Sequence, residues 1–183
     1  NTVSLAKLTA TGTKDATTFL RGDNTFAEAG GGIIGQVVST DKTDTFTTTS
    51  SSFTDVTNFS LSITPSATSS KILILMNSYI SNVNSTYVSF IRILRDSTAI
   101  CVGDAASPRI QATGHSRLGD TYEMGNYSGM TLDSPNTTSA VTYKVQMSAQ
   151  SSSTATLNRT GNDSTHNYHA RTSSSITAIE VLA

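Results

Sequence analysis

One cysteine in 183 residues excludes a disulfide framework within the chain. Cys101 stands between Ile100 and Val102 and reads as an unreactive buried thiol, which leaves packing and assembly to hold the fold. The longest uninterrupted apolar run, Ile72 to Met76, is too short to cross a bilayer as a helix, and no charged leader precedes an apolar stretch after Asn1. Membrane insertion is therefore not expected, and the chain reads as a piece of a longer protein. Charge is sparse as well: 12 Lys and Arg against 13 Asp and Glu leave a net charge of −1, and the cations are scattered. Nucleic acid and anionic lipid both require a basic footprint, so neither partner is expected. Tryptophan is absent.

What fills the composition is hydroxyl. The chain holds 28 Ser and 31 Thr. Threonine is β-branched and favours strands, whereas serine competes for backbone hydrogen bonds in turns, so the balance predicts many short strands joined by polar loops. No amphipathic helix is expected.

The length suits one domain with an appendage. Residues 1–32 hold isolated apolar side chains (Val3, Leu5, Leu8, Phe19, Leu20, Phe26) at spacings matching neither a strand nor a helix. The segment is expected to be an extended stalk or connector, ordered by neighbouring chains, with Gly30 to Gly32 as a joint. From residue 33 to residue 183 strand signals recur: Gln36–Ser39, Thr43–Thr49, Thr54–Ile63, Lys71–Ile80, Tyr87–Arg95, Thr98–Val102, Val141–Ala149, Ala155–Arg159 and Ser175–Leu182. The five apolar residues opening Lys71–Ile80 suit a central strand covered on both faces. Strict alternation of Val141, Tyr143, Val145, Met147 and Ala149 marks a half-buried strand. The expected fold is all-β, an antiparallel sandwich or jelly roll.

Several short motifs dissolve on inspection. Gly30, Gly32 and Gly35 match a dinucleotide-binding spacing, but no strand precedes them and no helix follows. Arg21, Gly22 and Asp23 spell an adhesion tripeptide that more simply serves a tight turn. Around Ser116, Leu118 occupies the position where a nucleophile elbow requires glycine. Glycan cleavage needs two carboxylates across a sugar cleft, yet the glutamates are only Glu28, Glu123 and Glu180 and most aspartates sit in turns. No enzymatic activity is expected, with a glycan hydrolase as the subordinate alternative. His166 and His169 lack a carboxylate or cysteine partner nearby, so solvated loop histidines are expected and neither metal nor cofactor is. Six Asn-x-Ser/Thr sequons, Asn158 among them, follow from the abundance of hydroxyl residues.

The segments TTFLRGDNTFA, QVVSTDKTDTFTTTSSSFTDVTNFSLSITPSATSSKILI, ILRDSTAICVGDAA, LDSPNTTSAVTYKVQ and LNRTGND resemble the C-terminal receptor-binding domains of bacteriophage tail fibres, notably those of marine and cyanophage-like podoviruses. The likeness runs along most of the chain and lapses across residues 104–130 and 160–172. The strand succession, with SSKILILMNSYIS, TYVSFIRILRD and a closing SSITAIEVLA, also resembles the jelly roll of C1q and tumour necrosis factor trimers. The resemblance implies a homotrimeric virion component, joined to the rest of the fibre, that adsorbs to a bacterial surface receptor, with polysaccharide the expected receptor. A structural trimerisation module without receptor contact is the alternative.

If the chain enters and leaves such a jelly roll at one end, residues 151–174 lie at the other. Hairpin alternation adds Asn82–Ser85 and Asp104–Thr121 to that far end and puts Asp96–Thr98 and Asp133–Ser139 at the base. Arg117, Tyr122, Tyr127, Asn162, His166, Asn167, Tyr168 and His169 are the candidate receptor-binding residues, with tyrosine rings stacking on sugars and Asn or Arg bonding hydroxyls.

Overall fold

The computed structural model describes residues 11–13, 18–28 and 33–182. Among them the strands are β1 (Thr18–Leu20), β2 (Phe26–Glu28), β3 (Ile34–Lys42), β4 (Phe46–Thr48), β5 (Thr54–Ile63), β6 (Lys71–Asn82), β7 (Ser89–Arg95), β8 (Thr98–Ile100), β9 (Gly114–Ser116), β10 (Gly125–Asp133), β11 (Val141–Ala149), β12 (Ala155–Leu157) and β13 (Ser174–Val181). The described residues contain no α-helix, only one 3-10 turn at Gln150–Ser152, and no helix long and apolar enough to cross a membrane.

Two antiparallel sheets face each other. In the first, β6 pairs with β10 on one edge and with β13 and then β12 on the other, while β3 flanks β13 and β4 flanks β12. In the second, β11 lies between β5 and β7, and the outer edge of β7 takes β8 and β9 in succession. The chain passes repeatedly from one sheet to the other, as in β5 to β6 to β7 and β9 to β10 to β11, which is the winding of a jelly-roll-like sandwich.

The core lies between the sheets. Ile72, Ile74, Met76 and Ile80 of β6 meet Phe59, Leu61 and Ile63 of β5, Ile91 and Ile93 of β7, and Tyr143, Val145 and Met147 of β11. Each fully buried Ile, Leu or Phe contributes about 2 kcal/mol. The alternation of β11 is carried through as expected, from Val141 to Ala149. Strand β5 alternates inward at Phe59, Leu61 and Ile63, and Val56 also points inward because Asn58, at φ 57°, inserts a bulge where the register with β11 shifts. Thr43–Thr49 was expected as one strand, but only Phe46–Thr48 pairs.

Strands β9 and β10 carry no sequence signal. In β10 the inward positions include Gly125, Tyr127 and Gly129, so the apolar alternation is missing from the sequence. Neighbours fill the space instead: a Cβ on Gly129 would stand 2.7 Å from Thr113 and 3.1 Å from Ile93.

Among the described residues, only one face of β6 is covered. Leu73 and Leu75 point outward beside Leu132 and Met130 of β10 and Ile179 and Thr177 of β13, with Val37 of β3 next in line. Met130 is 70% exposed, Val37 59% and Leu132 50%.

In the amino-terminal region, β1 and β2 form a two-stranded sheet. The Arg21-Gly22-Asp23 tripeptide makes its tight turn: the Arg21 N–H donates to Thr25 O at 2.7 Å, and Asp23 Oδ1 accepts from the Thr25 hydroxyl at 2.6 Å. The expected joint at Gly30 to Gly32 and the apolar Val3, Leu5 and Leu8 lie outside the described residues.

At the base, where β3 begins and β13 ends, Glu180 is buried. Its Oε1 accepts from the Ser66 N–H and hydroxyl, both at 2.6 Å, and its Oε2 accepts from Gln36 Nε2 at 3.0 Å. A Cβ on Gly35 would stand 2.7 Å from Oε2, so a larger residue there would have to displace the carboxylate. Burial alone would raise the carboxyl pKa, but the Ser66 and Gln36 donors overcome it and hold the group at about 2 against an ordinary 4.5. A depressed folded-state pKa stabilises the fold above the unfolded value and loses that contribution as pH falls toward the folded one. Thermal melts across this acid range should therefore show Glu180→Gln less stable than wild type at neutral pH, with a shallower decline as pH drops from 4.5 toward 2. Parallel pH profiles for the two proteins would contradict this role.

Candidate functional site

The chain enters and leaves the sandwich at the same end, since Val181 pairs with Ile34 and the Leu182 N–H donates to Ile33 O at 2.7 Å. The segments after β6, β9, β11 and β12 lie at the opposite end. Of the loop expected there, the stretch after β9 belongs to it. Residues 101–113 instead run along the edge of β7, where the Thr113 N–H donates to Ile91 O.

The far-end loop 158–173 grows from a buried polar root. Asn158 is fully buried at φ 59°. Its Nδ2 donates to Lys42 O at 2.7 Å and Asp44 O at 3.1 Å, and its Oδ1 accepts from the Ser174 hydroxyl at 2.6 Å. These bonds tie the ends of β3, β12 and β13 together and leave this sequon asparagine no exposed amide. Gly161 follows against the end of β6, where a Cβ would collide with the Asn82 carbonyl. The Asn162 N–H then donates to Thr121 O at 3.0 Å, joining this loop to residues 117–124.

That junction brings four aromatic side chains from two loops into one group. Tyr122 meets Tyr168 with ring centroids 5.3 Å apart and planes at 89°, and meets His169 at 5.2 Å. His166 stacks on Tyr168 at 5.1 Å with planes only 6° apart, and Tyr168 lies 4.8 Å from His169. Tyr168 is 56% exposed and Tyr122 45%, so ring surface remains open to solvent. His169 is held at both nitrogens: Nδ1 is 2.9 Å from the Thr160 hydroxyl and Nε2 2.9 Å from that of Ser164. Both nitrogens are thus occupied by protein hydroxyls. Among the described residues no group of three His, Cys, Asp or Glu side chains could hold a metal ion.

The loop charges are paired. Asp163 binds Arg171 and lies 3.6 Å from Arg159. The Arg171 hydrogen bond, reinforced by the Arg159 charge, holds the Asp163 carboxyl below the usual range.

Of the eight candidate residues, Tyr122, His166, Tyr168 and His169 come together. Asn162 and Asn167 are exposed on the same loop. Arg117 lies at the far end but apart from the rings, its Nε donating to Thr86 O at 3.2 Å across a shallow depression lined also by Ser85, Leu118 and Gly119. Tyr127 is elsewhere: it sits within β10 with its ring against the core. Thr160, Ser164, Asp163 and Arg171, which brace the group, carried no sequence signal because hydroxyls and isolated charges are common along the chain. No protein-family model matches the chain, and no curated protein matches it.

Replacing Asn158 with Ala strands the Lys42 and Asp44 carbonyls and the Ser174 hydroxyl in a buried site, at a cost of about 2 kcal/mol. Calorimetry should show the melting temperature falling by roughly 5 °C, and hydrogen exchange should show amides of residues 158–172 losing protection. An unchanged melt with an unchanged exchange pattern would remove Asn158 as the anchor.

Proposed function

We propose that this chain is the tip of a bacteriophage tail fibre, a homotrimer on the virion that adsorbs to the bacterial host by multivalent binding of a cell-surface glycan. The observation that carries the reading is the braced aromatic group at the end farthest from where the chain enters. Exposed rings held in place by hydrogen bonds suit sugar stacking, because a binding surface fixed in advance loses little entropy on contact. Three such tips on one fibre make each later contact intramolecular, so weak individual contacts gain ~100-fold or more in avidity. No catalytic step is part of this proposal.

The trimer is supported by the outer face of the first sheet. Val37, Leu75, Met130 and Leu132 form a continuous apolar surface of the kind that soluble proteins cover with a partner. The finer fold, a jelly roll of the C1q and tumour necrosis factor kind, is supported by the facing strand orders β3-β13-β6-β10 and β5-β11-β7-β8. The β1–β2 hairpin exposes Phe19 and Leu20, and a two-stranded hairpin is marginal alone. This supports residues 1–32 as a stalk segment completed by neighbouring copies and continuing toward the rest of the fibre. An assembly module that never touches the host is the competing reading, and it gives the braced rings no role.

Light scattering on the chain should give three times 19.2 kDa. The double variant Leu75→Glu, Met130→Glu should fall toward the single-chain mass while keeping its β-sheet circular dichroism. A wild-type monomer would contradict the assembly. In a competition assay the wild-type trimer should block phage adsorption, and a folded trimer carrying Tyr168→Ala and His166→Ala should block about tenfold less well or not at all. Undiminished blocking by that variant would transfer support to the assembly-only reading.

A further inference from the structure

Resting on the glycan-binding reading above, we infer that the aromatic tip takes an uncharged saccharide, a neutral pyranose laid against the Tyr122 and Tyr168 rings, and not a sialylated, uronate-bearing or phosphorylated one. The charge inventory points this way. Across residues 117–124 and 158–173 the guanidiniums of Arg117, Arg159 and Arg171 are matched by the carboxylates of Asp120, Glu123 and Asp163, a formal balance of zero apart from the histidines.

Beside the rings these groups are committed within the chain, while Arg117, apart from the rings, gives its Nε to Thr86 O at 3.2 Å. Asp163 binds Arg171 and Arg159 together. Arg159 also donates from Nη1 to Thr160 O at 3.2 Å and Gly161 O at 3.3 Å. Glu123 Oε2 accepts from the Gly119 N–H at 3.0 Å, and Asp120 Oδ1 accepts from the Tyr122 N–H at 3.1 Å. The second bond makes Asp120 a brace for one of the platform tyrosines. An anionic sugar needs a charge-assisted donor, best a bidentate arginine. Arg171 already gives Nη1 to Asp163, so an anion taking its remaining N–H groups would compete with that carboxylate for the same charge.

A neutral pyranose makes no such demand. One face of the ring presents C–H bonds that lie against an aromatic plane, and its rim presents hydroxyls that both donate and accept. The tip supplies both. The two tyrosine planes stand at 89° with their rings half exposed, and Asn162 and Asn167, each with a donor and an acceptor, are exposed beside them. His169 contributes ring surface rather than a free nitrogen, since both of its nitrogens are taken by Thr160 and Ser164.

The test is a panel of neutral glucose-, galactose-, mannose- and N-acetylglucosamine-based oligosaccharides, alongside sialylated, uronate-bearing and phosphorylated counterparts, screened against the full chain at low and high salt. Binding to at least one neutral member is expected, with affinity little changed by salt because no ion pair forms. Tyr168→Ala and, separately, Tyr122→Ala, each verified as folded by circular dichroism, should lose about tenfold or more. Binding confined to anionic members, weakened by salt and still lost in Tyr168→Ala, would overturn the neutral-sugar inference and leave the glycan-binding site standing. Binding of no carbohydrate, or binding indifferent to both tyrosine changes, would overturn the site together with the inference.

Discussion

Strand β6 carries apolar side chains on both faces, and a two-layer sandwich can cover only one of them. Ile72, Ile74, Met76 and Ile80 go inward and build the core. Leu73 and Leu75 go outward with Met130 and Leu132 of β10 and Val37 of β3, onto a face the described residues leave uncovered. That surplus of apolar surface is the constraint from which the proposed assembly follows.

The two ends of the sandwich divide the remaining labour. At the base, Glu180 is buried among Ser66 and Gln36, and Tyr143 donates its hydroxyl to Asp133 at 2.7 Å, which also binds Arg95. The two carboxylates there are each bonded by protein donors. At the far end the same economy of hydrogen bonds serves exposure: Asn158 anchors the loop, Thr160 and Ser164 hold His169, and Asp120 holds Tyr122, so the rings face solvent in a fixed arrangement.

The parts of this arrangement legible in the sequence were those where side-chain alternation alone decides the outcome. Strand β11 and the span of β5 are of that kind, and so is the turn at Arg21 to Thr25, where Asp23 accepts from Thr25 and Asn24 takes a φ of 64°. Strand β10 was hidden because its inward face uses Gly125 and Gly129 and borrows bulk from Thr113 and Ile93. The same concealment explains Tyr127, a candidate receptor-binding residue that instead packs on the core. His166, Tyr168 and His169 were legible only as candidates on one loop. Their union with Tyr122 depends on the backbone bond from Asn162 to Thr121, which no residue pattern advertises.

The central claim is that the outer face of the β6 sheet is covered by other copies while the aromatic tip stays open. Hydroxyl-radical footprinting of the intact protein, read by mass spectrometry, measures both at once. The account predicts that Met130, 70% exposed in the isolated chain, is oxidised far more slowly in the native protein than after unfolding, while Tyr122 and Tyr168 react readily. Met130 oxidised as fast in the native protein as in the unfolded one would contradict it.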